Sequence, residues 1–288
     1  MQITSPTLVS QAAPPDVREV IAVYAFFPAS YLNSLGLPPM IFLLNYPLVF
    51  FVITLALLWI ASRVGAYFRK QSLDDEGHFS LILGATLTLL GLMIGFTFAM
   101  AVSRYDQRKG YEEQEANAIG TEYVRLDVLS AAKAAELRAL LRDYLDQRIL
   151  FYTSRDSELL RQARAKISQL QSELWSEVTP SVSAQPNPVS ALVLSGMNDV
   201  LNSAGYTEAA WRNRVPIAAW ILLISIAAFC NFLLGYRAQR KTSMLLLVLP
   251  ISLALSFFLI ADIDSPRNGV IRVDPQNLES LADSLRPH

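Results

Sequence analysis

Residues 79–120 have the sequence FSLILGATLTLLGLMIGFTFAMAVSRYDQRKGYEEQEANAIG, and this stretch decides the fold. Its first part, Phe79–Val102, contains no Asp, Glu, Lys or Arg. An α-helix of ~20 apolar residues crosses a hydrocarbon core of about 30 Å, so this part predicts a membrane-spanning helix. The polar part that follows contains no proline before the end of the stretch. We therefore expect the same helix to continue far out of the membrane.

Three further segments have the same length and apolar character. They are Met40–Ser62, Val215–Tyr236 and Thr242–Ile263. Hydrophobic residues make up 52% of the 288 residues and charged residues 17%, which is low for a soluble protein. A soluble fold would have to encase all four apolar helices, and the rest of the chain is too short to cover them. The sequence therefore predicts four membrane spans, arranged as two hairpins.

The residues between the second and third spans, Ser103–Arg214, have an ordinary soluble composition with nearly equal numbers of acidic and basic residues. Apolar residues recur there every three or four positions, as in Leu137, Leu141 and Tyr144 and in the run from Leu160 to Leu174. This spacing is typical of amphipathic helices. The region is therefore predicted to form an antiparallel helical bundle outside the bilayer.

Proline and glycine indicate where the bundle helices end. Pro180, Pro186 and Pro188 predict a loop, and a further helix is expected over about Val189–Leu201. Gly205 is expected to end that helix before the chain returns to the membrane.

The predicted fold is an all-α polytopic membrane protein with five segments. They are an N-terminal segment with a possible interfacial helix at Val20–Leu32 (1–39), transmembrane hairpin 1 (40–102), the helical bundle (103–214), transmembrane hairpin 2 (215–263) and a C-terminal tail (264–288). Basic residues flank the spans on both sides in nearly equal number. Because the hairpin loops are much shorter, the positive-inside rule favours hairpin loops in the cytoplasm and the bundle on the other side.

Small residues lie along one face of the second span: Gly84, Thr88, Gly91, Gly95 and Ala99. Such a face lets another helix approach closely, and packing is one interpretation. The other is that the face lines a pore, where short side chains leave room for ions or water. The sequence alone does not separate these two interpretations.

Charged residues are grouped where the spans leave the bilayer. Asp262 and Asp264 end the fourth span, and Arg104, Asp106 and Arg108 follow the second span at the same membrane boundary. One interpretation is a salt-bridge cluster that anchors the helix ends. In a ring of identical subunits, the same aspartates would instead form a ring of carboxylates that concentrates cations at a pore mouth.

A run of acidic residues follows the second span, at Glu112, Glu113, Glu115 and Glu122. It alternates with Arg108, Lys109 and Arg125 at helical spacing. We interpret this pattern as a solvated helix face with paired charges.

The sequence offers no support for catalysis, a metal site or a cofactor. His78 and His288 are the two histidines and Cys230 is the single cysteine, and these cannot assemble a metal site. No nucleophile, zinc or phosphate-loop motif is present. A net charge of −1 gives no basic field for nucleic acid. We therefore predict a non-enzyme.

Two stretches carry a resemblance to a known family. GFTFAMAVSRYDQRKGYEEQEANAIGTEYVRLDVL (95–129) and DSPRNGVIRVDPQNLESL (264–281), together with the order of the spans, resemble the bacterial bestrophin-like membrane proteins over about residues 45–285. The family name suggests kinship with bestrophins, which are pentameric anion channels with a long helical region between spans two and three. This sequence lacks the acidic calcium clasp of animal bestrophins, which argues against calcium gating.

The resemblance implies a homo-oligomeric ring, with a pentamer as the leading expectation, that conducts ions across the bacterial inner membrane. Spans two and four would line the pore. It also implies a cytoplasmic bundle, opposite to the side that the charge count favours. The alternative function is a non-conducting scaffold or sensor whose bundle binds a partner and whose spans serve as anchors.

Overall fold

The computed structural model describes residues 43–68, 76–184, 186–237 and 245–286. The interfacial helix predicted at Val20–Leu32 lies outside these residues. The helices and their bounds are α1 (Pro47–Tyr67), α2 (Glu76–Arg125), a 3-10 turn (Leu126–Val128), α3 (Ala131–Thr153), α4 (Ser157–Ser183), α5 (Pro188–Arg212), α6 (Ile217–Arg237), α7 (Leu245–Asp264) and α8 (Gln276–Ser284).

Four helices of the described chain are long and apolar enough to cross a membrane, which confirms the predicted spans. They are α1, the first half of α2, α6 and α7. Helix α1 ends at Tyr67, five residues beyond the predicted Ser62, and begins with Pro47 in its first turn. Proline fits there because the first turn has no intrahelical acceptor for its missing N–H.

Helices α1, α6 and α7 form the core of the membrane part. The Trp220 side chain of α6 is fully buried between Phe50 of α1 and Phe257 of α7, with ring centroids 5.1 and 6.3 Å away. Helices α1 and α6 come closest where Gly65 and Gly235 leave no side chain between the backbones. Helix α2 packs against α6 and α7 and leaves its opposite side uncovered by the described residues.

Helix α2 is one continuous helix of 50 residues, as its composition predicts. At about 1.5 Å per residue it is roughly 75 Å long, more than twice the thickness of a hydrocarbon core. Its second half is therefore the first helix of the bundle.

The bundle is antiparallel, which confirms the predicted fold class. Helices α3 and α4 form a hairpin, α4 packs against α5, and α5 returns along α2. The short helix α8 packs against α2 and α3. Side-chain caps fix two helix starts. Asp156 accepts hydrogen bonds from the backbone of Glu158 and Leu159 at α4, and Asn187 forms a capping box with Ser190 at α5.

Two predicted helix boundaries in the bundle are wrong. Helix α5 does not end near Leu201 but continues through Gly205 to Arg212. A single glycine costs a helix about 1 kcal/mol, which the burial of Ala204, Thr207 and Trp211 on the same helix outweighs. Helix α4 likewise includes Pro180 in its last turns. The break is confined to the residues between Ser183 and Pro188.

Candidate functional site

The small-residue face of α2 is exposed in the chain. Gly84, Thr88, Gly91 and Gly95 are all exposed, and an added Cβ on any of the three glycines would have no described atom within 4 Å. The Thr88 hydroxyl donates to the Gly84 carbonyl oxygen at 2.9 Å, so its polar group is satisfied within the helix. The described helices therefore do not pack on this face. Lipid, a second copy of the chain or an aqueous path would have to cover it.

The exposed face continues along the polar half of α2. Ser103, Asp106, Asn117 and Thr121 follow the glycines at helical spacing and are exposed as well. A single stripe therefore runs from within the membrane part to the far end of the bundle. It begins with small apolar and hydroxyl residues and becomes polar where the helix leaves the bilayer.

Asp264 lies inside the chain at the end of α7. Its side chain is 3% exposed, and the Val215 N–H donates to both carboxylate oxygens at 3.1 and 3.2 Å. The guanidinium of Arg108 lies beside it and donates to the carbonyl oxygens of Ile263 and Asp264, at 3.1 and 3.4 Å. Asp264 thus connects the end of the fourth span with the start of the third. It lies near three arginines, Arg104, Arg108 and Arg214.

Asp262 is similarly buried two residues earlier. It is 2% exposed, and its carboxylate accepts hydrogen bonds from the backbone N–H groups of Val270 and Ile271, both at 2.8 Å. Gly269 lies so close that an added Cβ would be 2.4 Å from the Asp262 carbonyl oxygen. Asp262 therefore holds the turn that follows α7 against the helix end.

Arg104 is half-buried near this cluster. Its carbonyl oxygen accepts a hydrogen bond from Arg108 Nε at 3.2 Å, and its own Nη1 is buried with no hydrogen-bond partner among the described residues. The structure thus brings Arg104, Arg108 and Asp264 together at one level, as the sequence predicts. It places the two aspartates inside the subunit and the glycines on its surface, so these two sets of site residues do not form one surface.

The acidic run of α2 differs from its prediction. Glu112, Glu115, Glu122 and Arg108 are buried, with exposures of 2% or less, so the interpretation as a solvated face is wrong. Glu115 pairs with the buried Arg148 of α3 and accepts hydrogen bonds from Tyr152 and Thr207 at 3.2 and 3.1 Å. These hydrogen bonds replace the water molecules that would otherwise solvate the charged pair.

The other two buried glutamates have different surroundings. Glu112 accepts hydrogen bonds from the backbone of Asn277 and Leu278 at 3.0 and 2.9 Å, and thereby fixes the start of α8. Neither oxygen of Glu122 has a hydrogen-bond partner among the described residues. Burial raises the pKa of Glu122 to about 8, the charge of Arg125 lowers it in part, and Asp199 adds to the rise.

A family model now identifies the chain. The Bestrophin-like domain matches residues 48–278, which is most of the sequence. The chain belongs to the Bestrophin-like family. This confirms the resemblance carried by residues 95–129 and 264–281. Among curated proteins, no sequence matches the chain.

Solved structures share the fold of this bestrophin-like chain. A bacterial bestrophin homologue from Klebsiella pneumoniae has 15% identity and a TM-score of 0.58, with 83% of this chain and 95% of that chain covered. A single-substitution variant of a bestrophin homologue from the same organism has 16% identity and a TM-score of 0.56, with coverages of 81% and 95%. A structure described as a membrane protein has 14% identity and a TM-score of 0.58, with coverages of 83% and 95%. At such identities the likeness concerns the fold.

The buried charges of the bestrophin-like chain have a signal in the sequence. The buried face of α2 includes Thr97, Ala101, Arg108, Glu112, Glu115, Ile119 and Glu122, and the buried Leu126 of the 3-10 turn continues it. The spacing from Ala101 to Leu126 is seven, four, three, four, three and four, which is the spacing of a core-facing helix stripe. Charged residues on the same stripe as Ile119 and Leu126 are therefore expected to be buried. The helical spacing predicts their burial, although their residue types alone would predict exposure.

Proposed function

We propose that the bestrophin-like chain forms a ring of identical subunits in the bacterial inner membrane and conducts ions along the ring axis. The exposed stripe of α2 would face that axis. Family membership supports a ring, and by resemblance five subunits are expected. The observation that carries the proposal is the exposed face of Gly84, Thr88, Gly91 and Gly95, which the other described helices leave uncovered.

Helix α7 would stand beside α2 in the pore wall. It packs against both α1 and α2, and its exposed side chains include Ser252 and Leu255. The Ser252 hydroxyl donates to the Val248 carbonyl oxygen at 2.8 Å, so it adds a small polar position without an unsatisfied group. A wall of this kind has little charge, and its short side chains would leave room for ions to pass without strong binding.

Cysteine accessibility tests the pore lining. In a Cys230→Ala background, Gly95→Cys in membrane vesicles is expected to react with a hydrophilic thiol reagent, and the modification is expected to block ion flux. The matched control is Leu90→Cys on the same helix, because Leu90 is buried against the chain. Protection of Gly95→Cys, or reaction without any change in flux, would contradict the proposal. Protection together with cysteine cross-linking between subunits would favour the non-conducting scaffold.

A carboxylate ring at the pore mouth is a separate proposal for Asp262 and Asp264. Both side chains accept backbone hydrogen bonds within the subunit, so they would act on ions through the field of the ring and not by direct contact. Asp262→Asn is expected to shift the cation-to-anion permeability ratio in bilayer recordings while the assembly survives. An unchanged ratio would remove Asp262 from the pore mouth. Arg104, with its unpartnered Nη1, would oppose the carboxylates at the same level.

A further inference from the structure

A second site lies where the membrane part meets the bundle. It is a cavity of about 260 Å³ whose lining includes Arg164 of α4, Arg212 of α5, Arg214 between α5 and α6, and Arg267 after α7. Among the described residues that line the cavity, Glu208 is the one acidic residue. Four guanidinium groups and one carboxylate give the cavity an excess of positive charge.

The single carboxylate is already engaged. Glu208 pairs with Arg212 at 2.9 Å, four residues later on the same helix. Among the described residues, none of Arg164, Arg214 and Arg267 forms an ion pair with a carboxylate. Arg214 donates to the neutral Asn45 side chain at 2.5 Å, and Asp264, which acts on it through its charge, is bound by the Val215 backbone. Three positive charges therefore lack a direct counterion.

Arg267 is held in place before any ligand binds. Its guanidinium lies over the neighbouring rings of Phe151 and Trp211, 4.5 and 4.3 Å from their centroids. One nitrogen, Nη1, donates to the Phe151 carbonyl oxygen at 2.7 Å. The other, Nη2, is buried without a hydrogen-bond partner among the described residues. A guanidinium held by ring contacts and a hydrogen bond is already oriented, so it would bind an anion at little entropic cost.

The electrostatic surroundings agree with this geometry. Burial is the main cause that lowers the pKa of Arg267 to about 10; the charges of Arg164 and Arg148 act in the same direction, and the charge of Glu208 opposes them in part. Mutual repulsion of this kind raises the free energy of the empty cavity, and a bound anion would relieve it.

We propose that this cavity binds a phosphate-bearing anion. Arginine forks match phosphate oxygens in charge and in geometry. The cavity lies at the membrane boundary, since Arg214 is three residues before the start of α6 and Arg267 is three residues after the end of α7. Basic pockets at this level meet the headgroups of anionic phospholipids, so the lipid phosphate is the source that the position favours. The site does not depend on ion conduction.

The test measures the affinity of the purified full-length protein for a short-chain phosphatidylglycerol. Arg164→Gln is the first variant, because Arg164 is exposed and pairs with no carboxylate among the described residues, so its replacement is expected to leave the fold intact. We expect its dissociation constant to rise about tenfold, the size of one charge-assisted hydrogen bond. Arg161→Gln is the matched control on the same helix, since Arg161 is exposed, pairs with Glu158 and lies outside the cavity. Its affinity is expected to stay within about twofold of wild type.

Two further arms identify the source of the phosphate. Phosphatidylcholine of the same chain length is expected to bind with the same affinity in wild type and Arg164→Gln, because its headgroup carries no net negative charge. Inorganic phosphate is titrated without lipid. The site would be supported with a soluble phosphate as its ligand if Arg164→Gln weakened the binding of inorganic phosphate and phosphatidylglycerol, added separately, did not compete with that binding. If neither probe distinguishes Arg164→Gln from Arg161→Gln, the proposal is overturned.

Discussion

The carboxyl group of Glu122 makes folding depend on pH. It is buried in the extramembrane half of α2 with no hydrogen-bond partner among the described residues, and its pKa is raised from an ordinary value of 4.5 to about 8. Between these two values the unfolded chain has lost the proton and the folded chain keeps it. Unfolding then releases a proton, so the free energy of unfolding falls as the pH rises through this range and levels off above about pH 8.

We expect Glu122→Gln to remove most of this slope. The amide stays neutral, so the variant should unfold at a higher temperature than wild type near pH 8 and at a similar temperature at low pH. Thermal unfolding of the detergent-solubilised protein across this pH range measures the difference. Glu113→Gln is the control, because Glu113 is one of the exposed acids on the same helix and its replacement should keep the wild-type slope. Parallel curves for wild type and Glu122→Gln would contradict the prediction.

Asp264 is expected to contribute to stability through its place in the subunit. Asp264→Asn keeps the size of the side chain but removes the charge that lies beside Arg108 and Arg214. Removing one charge from a buried cluster costs on the order of 2–3 kcal/mol, because the arginines stay buried without it. The thermal midpoint should therefore fall. The exposed Asp106→Asn should leave it nearly unchanged, and equal midpoints for both variants would show that the contacts of Asp264 add nothing.

Single residues were the hardest level to predict from the sequence. The glycine face of α2 could be placed correctly because glycine spacing directly gives a helix face. The surroundings of Asp262 and Asp264 could not be predicted, since their hydrogen-bond donors are the backbone N–H groups of Val270 and Val215, which belong to other segments. The charge of Glu122 predicts a solvated position, but its place on the buried stripe of α2 determines that it is buried.

The crossing of helices α1 and α6 depends on two glycines. A Cβ on Gly65 would lie 2.0 Å from the Phe232 carbonyl oxygen, and a Cβ on Gly235 would lie 1.8 Å from that of Ser62. Both obstacles are backbone atoms, which cannot move aside as a side chain can. We expect Gly65→Ala to separate the two helices and to cost at least about 1–3 kcal/mol of stability.

Gly91→Ala is the matched control, since Gly91 is also a glycine in a membrane helix. No described atom lies within 4 Å of its added Cβ, so alanine should be neutral or should stabilise the helix by about 0.5–1 kcal/mol in the dissociated subunit. Thermal unfolding of both variants in detergent measures the contrast. If Gly65→Ala is as stable as Gly91→Ala, the helices cross elsewhere.

Helices were well predicted where apolar length or period determines them. The four spans and the continuous α2 follow from composition and from the lack of a helix breaker after Val102. The low helix propensity of Gly205 predicts an end of α5 that is too early. The helix continues because Thr207 and Trp211 make tertiary contacts beyond this glycine. The contact of Gly65 with α6 had no signal in the sequence, since two single glycines in different spans give no repeating pattern.

At the scale of the whole molecule, the chain exposes apolar side chains outside the membrane as well as within it. Val124 of α2 and Val189 and Leu192 of α5 have exposures of 64%, 50% and 54% at the far end of the bundle. The two helices meet there, since Arg125 Nη1 donates to the Leu192 carbonyl oxygen at 3.4 Å. An apolar patch in water, far from any lipid, is typical of a protein interface.

In the proposed ring, a neighbouring subunit would cover this patch. We therefore expect Leu192→Glu to break the assembly into smaller species while each subunit stays folded, because the new carboxylate would have to be buried without a partner. Native mass spectrometry of the detergent-solubilised protein measures the subunit number, and circular dichroism checks the fold. Leu159→Glu is the control, since Leu159 is similarly exposed but lies at the start of α4, away from the patch. The ring would be contradicted if Leu192→Glu kept the mass of the wild-type assembly. It would also be contradicted if the wild-type protein lacked cyclic symmetry and a central opening. Lipid or another protein would then have to cover the stripe of α2.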